Sequence, residues 1–321
     1  MFCYDKGIKL LHQALWLDAR TSVEACCVSH GHSDHIRRHR LSLATPATAA
    51  FMRHRLGHVK IRQVDFQTPV HYGPYRITFL PAGHILGSAQ ILVENEQGSL
   101  LYSGDFKLET GRTAEPLVIR SCNILIMEST YGHPKFKFPP REELEARLCE
   151  FVHSTLRRGQ VPLIYGYALG KAQEAMKILA DHGFPLAVHA SLMRYVSVYQ
   201  EHGIDFGEVM LFKKSRFDGR RPLILPPQAR FQKQIRNLGA TRSLFLSGWG
   251  LDPGAKYRYG VDEVLPLSDH ADFDDLMEYI DRVKPKTVYT THGPADFYLL
   301  LRQKGYDAHP LAPPRQGELF E

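Results

Sequence analysis

The sequence has few cysteines and no arrangement of them that suggests a disulfide framework. There are five, an odd number, and none form a pair at CxxC spacing; they are Cys3, Cys26, Cys27, Cys122 and Cys149. This pattern argues against a disulfide scaffold and against a zinc ribbon. It predicts reduced thiols, so we expect a cytoplasmic protein.

Long apolar runs are also missing. No stretch approaches the roughly 20 apolar residues that a membrane span needs, and the longest runs, such as residues 123–127, have the length of a strand. The first residues lack a basic segment followed by an apolar one, so we expect no secretory signal. We find no internal repeat, low-complexity tract or Gly/Ser linker. These absences exclude a membrane role and leave a globular protein.

The charge balance is basic but moderate. Forty Lys and Arg residues against 34 Asp and Glu give a net charge of +6. A polyanionic partner is one interpretation of this excess, and an ordinary basic protein without such a partner is the other. Part of the excess lies in two clusters, Lys213–Arg216 and Arg220–Arg221, which form either a basic face or a solvated loop.

The pattern of expected secondary structure changes near residue 140. Short β-like runs dominate before it, at Ala14–Asp18, Val23–Ser29, Arg76–Leu80, Gln90–Glu94, Ser99–Ser103 and Asn123–Glu128. Helical and strand-like segments alternate after it, at Arg141–Leu156, Val161–Tyr165, Gly170–Ala180, Pro185–Val188 and Ser191–Gln200, and later at Leu244–Leu246, Asp272–Val283, Thr287–Thr291 and Pro294–Lys304. The alternation predicts a parallel sheet flanked by helices. An insertion at about 140–240 within one α/β body of αββα type explains the change.

The highest density of potential metal ligands lies in the run from His30 to His35. In this run His30, His32, Asp34 and His35 are separated at two points by the small Gly31 and Ser33. The run follows the apolar segment Val23–Val28, so its side chains leave the end of a strand on a tight loop. Imidazole and carboxylate groups are donors that zinc and manganese accept. Burying four such groups without an ion would be costly. By contrast, the isolated His12, His54, His58 and His153 are interpreted as structural or solvent-facing.

This run resembles the signature of the metallo-β-lactamase superfamily, and other motifs of that superfamily follow in order. Asp18 resembles its first motif, a carboxylate that orients a metal ligand. His84 and Asp105 resemble its third and fourth motifs. The resemblance implies two divalent ions, Zn²⁺ and/or Mn²⁺, about 3.5–4 Å apart, which together clamp phosphoryl oxygens. It assigns His30, His32 and His84 to one ion, Asp34 and His35 to the other, and Asp105 to both.

Three further segments are similar to motifs of the β-CASP nuclease branch. They are Asn123–Gly132 with its acidic residue Glu128, Leu267–Asp272 centred on His270, and Thr290–Gly293 with His292. The resemblance implies that His270, supported by Glu128, acts as a general acid, that His292 completes the second metal's shell, and that Asp34 and Asp18 belong to the catalytic set. Ser129 and Thr130 beside Glu128 are expected to contact nucleic acid. A simpler interpretation of Leu267–Asp272 is a helix start capped by Asp269, and both can hold.

The implied architecture is a metallo-β-lactamase αββα sandwich, residues 1–140 and 241–321, with a small α/β β-CASP cap domain inserted at 141–240. Within the insert, Gly166–Glu174 ends a strand, turns at glycine and begins a helix near Lys171. Free N–H groups at a helix start plus one lysine suit an anion, so Gly170 and Lys171 are expected to bind phosphate. The DNA-repair branch of the Artemis type has a similar turn for a terminal 5′-phosphate. The alternative is that Lys171 is merely solvated.

The sequence features point to two different substrates, DNA and RNA. His292 is typical of the RNA-acting branch, whereas Lys171 and the short insert are typical of the DNA-acting one. Likeness to bacterial DNA-ligase-associated exonucleases, in the segments 167–173, 247–249 and 260–262, favours a DNA exonuclease working from 5′ ends in repair. The same likeness implies a ligase or helicase as its partner. An RNA-processing nuclease is the nearest alternative. A lactonase or thioesterase lacks the insert, and an inactive paralogue would have lost metal ligands.

Overall fold

A computed structural model describes residues 1–4 and 7–311 of the chain. The strands are β1 (Phe2–Tyr4), β2 (Ile8–Leu10), β3 (Leu15–Leu17), β4 (Ala25–Cys27), β5 (Leu41–Ala44), β6 (Ile61–Gln63), β7 (Val70–Tyr72), β8 (Tyr75–Pro81), β9 (Ala89–Asn95), β10 (Gly98–Tyr102), β11 (Ile124–Glu128), β12 (Val161–Tyr165), β13 (Leu186–Val188), β14 (Val209–Leu211), β15 (Leu223–Leu225), β16 (Thr241–Leu246), β17 (Glu263–Leu265), β18 (Thr287–Thr291) and β19 (Ala308–Pro310). The α-helices are α1 (Pro46–Leu56), α2 (Arg141–Arg157), α3 (Lys171–Asp181), α4 (Ala190–Glu201), α5 (Lys233–Arg236), α6 (Ala255–Tyr259), α7 (Phe273–Val283) and α8 (Phe297–Gln303).

The chain forms two compact units. The first comprises residues 1–137 and 270–321, and the second comprises residues 138–269. The first unit contains two sheets, one in the order β1-β2-β3-β4-β5-β6 and one in the order β19-β18-β11-β10-β9-β8-β7. The first unit is therefore discontinuous in sequence, and the second is inserted into it.

The two sheets of the first unit pack face to face over one apolar core. Leu15, Cys27 and Leu43 from the first sheet meet Phe79, Ile91 and Tyr102 from the second within the same buried cluster. The outer face of the first sheet is covered by α1 through Met52. The outer face of the second sheet is covered by α7 and α8. The expected mixed α/β fold is confirmed, with αββα layers in this unit.

The second unit is built on a parallel sheet in the order β14-β13-β15-β12-β16-β17. Its strands β12, β13 and β15 are fully buried, as expected for the centre of a parallel sheet with helices on its faces. Because β16 and β17 belong to this sheet, the second unit continues past the expected boundary at residue 240 and ends at Asp269.

Most elements expected from the sequence occur within a few residues of their expected bounds. The helix at α7 begins differently from the simpler interpretation of its motif. Its N-cap is Asp272, whose side chain accepts a hydrogen bond from the Asp275 N–H at 2.9 Å. The expectation that Asp269 caps this helix is therefore wrong, because the helix starts three residues later. Among the helices of the described chain, none combines the length and the apolar character that crossing a bilayer requires.

Candidate metal centre and active site

The ligand-type side chains of the first unit stand where strands end. In the second sheet, β10, β11 and β18 run parallel, and Asp105, Glu128 and His292 lie at or just beyond their carboxyl ends. The pairing of Glu128 with Thr291 brings His292 beside the end of β11. Parallel strands therefore collect three distant parts of the sequence at one edge.

The remaining side chains come from two loops at the same region of the sandwich. The run from His30 to His35 follows β4, and His84 follows β8. Ala89 N–H donates to Ser29 O at 2.8 Å, which ties the strand after His84 to the start of the histidine run. The alternation of donors with small residues predicted this convergence, and His30 and His84 are both buried.

One group of donors comprises His30, His32, His84 and Asp105. His32 Nδ1 lies 3.1 Å from His30 Nε2 and 3.1 Å from His84 Nε2. Asp105 Oδ2 lies 3.5 Å from His30 Nε2 and 3.8 Å from His84 Nε2. Three ring nitrogens and one carboxylate oxygen thus face a common point.

A second group comprises His35, Asp105 and His292. Asp105 Oδ2 lies 3.5 Å from His35 Nε2, the same distance as from His30 Nε2. Asp34 Oδ2 lies 3.7 Å from His35 Nε2, and its side chain is 73% exposed. One carboxylate oxygen therefore stands between the two groups, while Asp34 borders the second from the solvent side.

The donor set fits a divalent ion such as zinc. Tetrahedral bonds of roughly 2.0–2.1 Å separate neighbouring ligand atoms by about 3.4 Å, close to the spacings in the first group. Nitrogen lone pairs at such distances have little to gain from one another, and a cation would satisfy them together. His292 Nδ1 is buried and has no hydrogen-bond partner within residues 1–4 and 7–311. An ion at the second group would satisfy that atom.

The electrostatics of the two groups differ. Burial, followed by the neighbouring His35 and His84, lowers the pKa of His30 well below its usual value, so that its ring is neutral and its lone pair is available. Burial alone would also lower the pKa of His35, but the carboxylates of Asp105 and Asp18 raise it to about 10. The carboxylates around His35 thus favour positive charge there, which suits a cation.

Asp18 organises the histidine run from behind. Its Oδ1 accepts the Ser29 N–H at 2.7 Å, and its Oδ2 lies 2.7 Å from His35 Nδ1 and 3.0 Å from the Tyr102 hydroxyl. The Ser29 hydroxyl also donates to Asp18. A carboxylate on Nδ1 fixes the ring and leaves Nε2 free for a ligand role. Asp18 adopts φ +42°, a conformation that Asp and Asn tolerate better than other residues.

We expect Asp18→Asn to weaken metal binding about 10–100-fold. Asparagine keeps the backbone conformation and the size of the side chain, so the substitution isolates the loss of charge behind His35. Competition with a fluorescent zinc chelator measures the affinity. Asp65→Asn, at an exposed aspartate of the same unit, is the matched control. A zinc affinity equal to that of the wild type would show that Asp18 does not position His35 for metal binding.

Glu128 and His270 form the second feature of this site. His270 Nδ1 lies 3.0 and 2.9 Å from the two carboxylate oxygens of Glu128. The carboxylate is buried, and its Oε1 also accepts the Phe106 N–H at 2.7 Å. The ring of His270 lies 4.5 Å from that of His84, between centroids. A histidine held at Nδ1 by a buried carboxylate has its Nε2 left to exchange a proton beside the metal ligands.

Ser129 and Thr130 make contacts inside the fold. The Ser129 hydroxyl donates to Thr291 O, and the Thr130 hydroxyl contacts both Glu128 and His292 O. Close approach of the two segments explains Gly293, where a Cβ would lie 1.9 Å from Ser129 O. These hydroxyls therefore link the segment of Glu128 to that of His292.

Gly170 and Lys171 belong to the second unit. Gly170 precedes α3 with φ +96°, and its N–H donates to Gln173 Oε1 at 2.8 Å. Lys171 is buried, and its ammonium pairs with the carboxylate of Asp269, 98 residues away. The ammonium also lies 5.3 Å from the centroid of the Tyr167 ring. The lysine is thus neither solvated nor isolated from other charges.

Two further residues of the site were missed by sequence reasoning. Tyr102 is buried against Asp18, and Arg20 lies with its guanidinium 3.1 Å from His292 Nε2. Tyr102 stands three residues before Asp105, which is a signal of proximity but not of contact. Arg20 meets a residue 272 positions away, and no local pattern points to it. His12, His54, His58 and His153 are exposed.

Comparisons with known proteins converge on one family. The family described as "Zn-dependent metallo-hydrolase RNA specificity domain" matches residues 254–309. A protein of Opitutus terrae named "Probable DNA ligase" is 40% identical over 98% of this chain, which covers 31% of that protein. An "RNase J-like protein" of Methanocaldococcus jannaschii is 27% identical over 85% of this chain and 82% of its own length. A "Transcription termination factor FttA" of Thermococcus kodakarensis is 43% identical over 68% of this chain and 44% of its own length.

This chain therefore spans about a third of the Opitutus protein and less than half of the Thermococcus one. The match to the Opitutus protein nevertheless covers nearly the whole of this chain, whose histidine run, strand-end carboxylates and segment from His270 to His292 the fold assembles into one centre. These relatives and this arrangement of ligands indicate the metallo-β-lactamase superfamily and, within it, the β-CASP nuclease branch.

Proposed function

We propose that this protein is a metal-dependent phosphodiesterase that acts as a DNA nuclease. The observation that carries the proposal is the position of Asp105 Oδ2, which lies 3.5 Å from both His30 Nε2 and His35 Nε2. A shared carboxylate between two donor groups is the arrangement that two-metal hydrolases use for phosphodiesters. We propose two ions, zinc or manganese, since the ligand types suit either.

Each residue has a distinct part in the reaction. When bound, the divalent ions supply Lewis-acid stabilisation of the charge on the phosphoryl oxygens. The donors of the first group are His30, His32 and His84. Asp34, His35 and His292 would hold the second ion, and Asp105 would contribute to both sites. His270, fixed at Nδ1 by Glu128, donates a proton from Nε2 to the leaving oxygen of the nucleotide.

DNA is favoured over RNA as the substrate. The support is the relative named as a DNA ligase, which matches nearly the whole chain. The alternative is an RNA nuclease, favoured by the words "RNA specificity" in the matching family and by the RNase J-like relative. Matched 5′-phosphorylated DNA and RNA strands separate the two: efficient cleavage of RNA alone would overturn the DNA assignment.

Other classes of function fit less well. A lactonase or thioesterase would lack the inserted second unit, which residues 138–269 form here. An inactive paralogue would lack ligands, whereas every ligand position is filled here. We further propose a role in DNA repair or end processing in the cytoplasm, beside a ligase. The name of the Opitutus relative and the five free thiols support this assignment.

Cleavage from 5′ ends is the finer part of the proposal, and it depends on Gly170 and Lys171. A terminal phosphate would bind the lysine in competition with Asp269. We expect Lys171→Ala to impair cleavage of 5′-phosphorylated strands several-fold more than that of 5′-hydroxyl strands. Steady-state rates on the two substrates measure the ratio. The matched control is Lys177→Ala, at a lysine of the same helix that pairs with Asp181. An equal loss on both substrates would eliminate the pocket.

A further inference from the structure

The second unit exposes a set of aromatic rings that the proposed chemistry does not use. Apart from Tyr4, the exposed large aromatic side chains of the described residues are Tyr167, Phe231, Trp249 and Tyr257, with exposed fractions from 40% for Trp249 to 77% for Tyr257. A group of exposed apolar side chains on one surface indicates an interaction site, whereas single ones do not.

Three of these rings follow neighbouring strands of the parallel sheet, and the fourth lies on the next helix. Tyr167 follows β12, Phe231 ends the turn after β15, and Trp249 follows β16. Because these three strands are neighbours and run parallel, their carboxyl ends lie side by side. Tyr257 belongs to α6, the next helix after Trp249. The carboxyl edge of such a sheet is where α/β folds bind ligands.

Contacts below the surface hold the four segments together. Phe245 stacks on Tyr259 with ring centroids 4.2 Å apart and planes 12° from parallel, and Tyr167 packs edge-on to Phe245 at 6.5 Å. The Arg230 guanidinium donates to Tyr259 O, which joins the turn of Phe231 to α6. The segments that carry the exposed rings are therefore joined to one another by contacts beneath the surface.

Cations accompany the rings. The Arg230 guanidinium lies 4.7 Å from the Phe231 centroid, and the Lys256 ammonium lies 4.9 Å from the Tyr257 centroid. Rings alternating with cations match a single-stranded nucleic acid, whose unpaired bases stack on aromatic faces while its phosphates contact the cations. Duplex bases are already stacked on each other and offer no free faces to such rings.

We propose that this surface, defined by Tyr167, Phe231, Trp249 and Tyr257 with Arg230 and Lys256, binds single-stranded nucleic acid by base stacking. The proposal rests on the proposed nuclease function and specifies the form of its substrate. Stacking on any base makes the surface indifferent to sequence. It would guide an unpaired strand, whichever sugar that strand carries.

Binding of a fluorescein-labelled oligothymidylate of about 15 nucleotides, near the upper site size of one such module, tests the surface. Anisotropy is measured in the His270→Ala background to prevent turnover. We expect Phe231→Ala and Tyr257→Ala each to weaken binding about five-fold or more, as loss of one stacked base requires. The conservative pair Phe231→Tyr and Tyr257→Phe should retain wild-type affinity. Tyr4→Ala, at an exposed ring of the first unit, is the matched control.

A second measurement separates binding from chemistry. Otherwise wild-type protein carrying Phe231→Ala and Tyr257→Ala should hydrolyse bis(p-nitrophenyl) phosphate at the wild-type rate, since this small diester needs no stacking surface. Affinity for the oligonucleotide within two-fold of wild type in the alanine variants would overturn the surface and leave the nuclease proposal intact. Weakened binding by these variants of a protein that cleaves no diester would support the surface and defeat the nuclease proposal instead.

Discussion

Replacement of Asp105 by alanine is expected to reduce cleavage by about three orders of magnitude or more, because groups that act as one unit in the site fail together. Asp105 Oδ2 lies 3.5 Å from a ring nitrogen of each donor group, so its loss removes a ligand from each. Asp34→Ala and His35→Ala should also abolish cleavage by opening the second group alone. Cleavage of an end-labelled DNA strand and the metal content per chain are measured on the same preparations.

The control for this series is His54→Ala, an exposed histidine of the same unit, which should leave rate and metal content unchanged. Wild-type rates in either Asp34→Ala or His35→Ala would refute the mechanism. A variant at Asp105 that keeps its full metal content would refute the sharing of that carboxylate.

The second large effect concerns the proton donor. We expect His270→Ala to lower kcat on DNA about 10²–10⁴-fold, the range for loss of a general acid, with metal content unchanged. Glu128→Gln should cause part of this loss, because it leaves the ring of His270 without its carboxylate at Nδ1. The double variant should be no worse than His270→Ala, since Glu128 acts through the histidine.

A leaving-group comparison gives this prediction its control. A nitrophenolate leaves without a proton, so His270→Ala should slow hydrolysis of bis(p-nitrophenyl) phosphate far less than that of DNA. Equal losses on both substrates would mean that His270 does not protonate the leaving oxygen. Loss of metal from the variant would assign it to the ligand set instead.

More of the fold could be predicted from the sequence than its short strands suggested. The elements that could not be predicted have physical reasons for this. The apolar run at β12 was predicted with its bounds because burial on both faces leaves a continuous signal. Strand β18 was also predicted with its bounds, although its burial alternates along the strand. The three-residue strands β1, β2 and β14 are too short to carry a continuous signal. Helix α1 begins with a pattern typical of helix starts, since Thr45 accepts the Thr48 N–H and Pro46 follows it. This pattern could have predicted the helix from the sequence.

Part of the candidate site could likewise be predicted from the sequence, and part could not. Donors in the run from His30 to His35 are close in sequence, so their chemistry was visible before the fold was known. Contacts of Tyr102 with Asp18, of Arg20 with His292 and of Lys171 with Asp269 join residues 84 to 272 positions apart. Tertiary structure alone creates such pairs, which is why the burial and ion pairing of Lys171 were not foreseen.

The central claim, a phosphodiesterase centre shared between two donor groups at Asp105, is tested most directly by metal add-back. Protein stripped with a chelator is titrated with zinc or manganese while metal content and cleavage of an end-labelled DNA strand are followed together. We expect no cleavage in the stripped protein and recovery that is complete only as a second ion binds, with Asp105→Ala failing to recover. Cleavage that persists in the chelator, or full recovery by the Asp105→Ala variant, would contradict the claim.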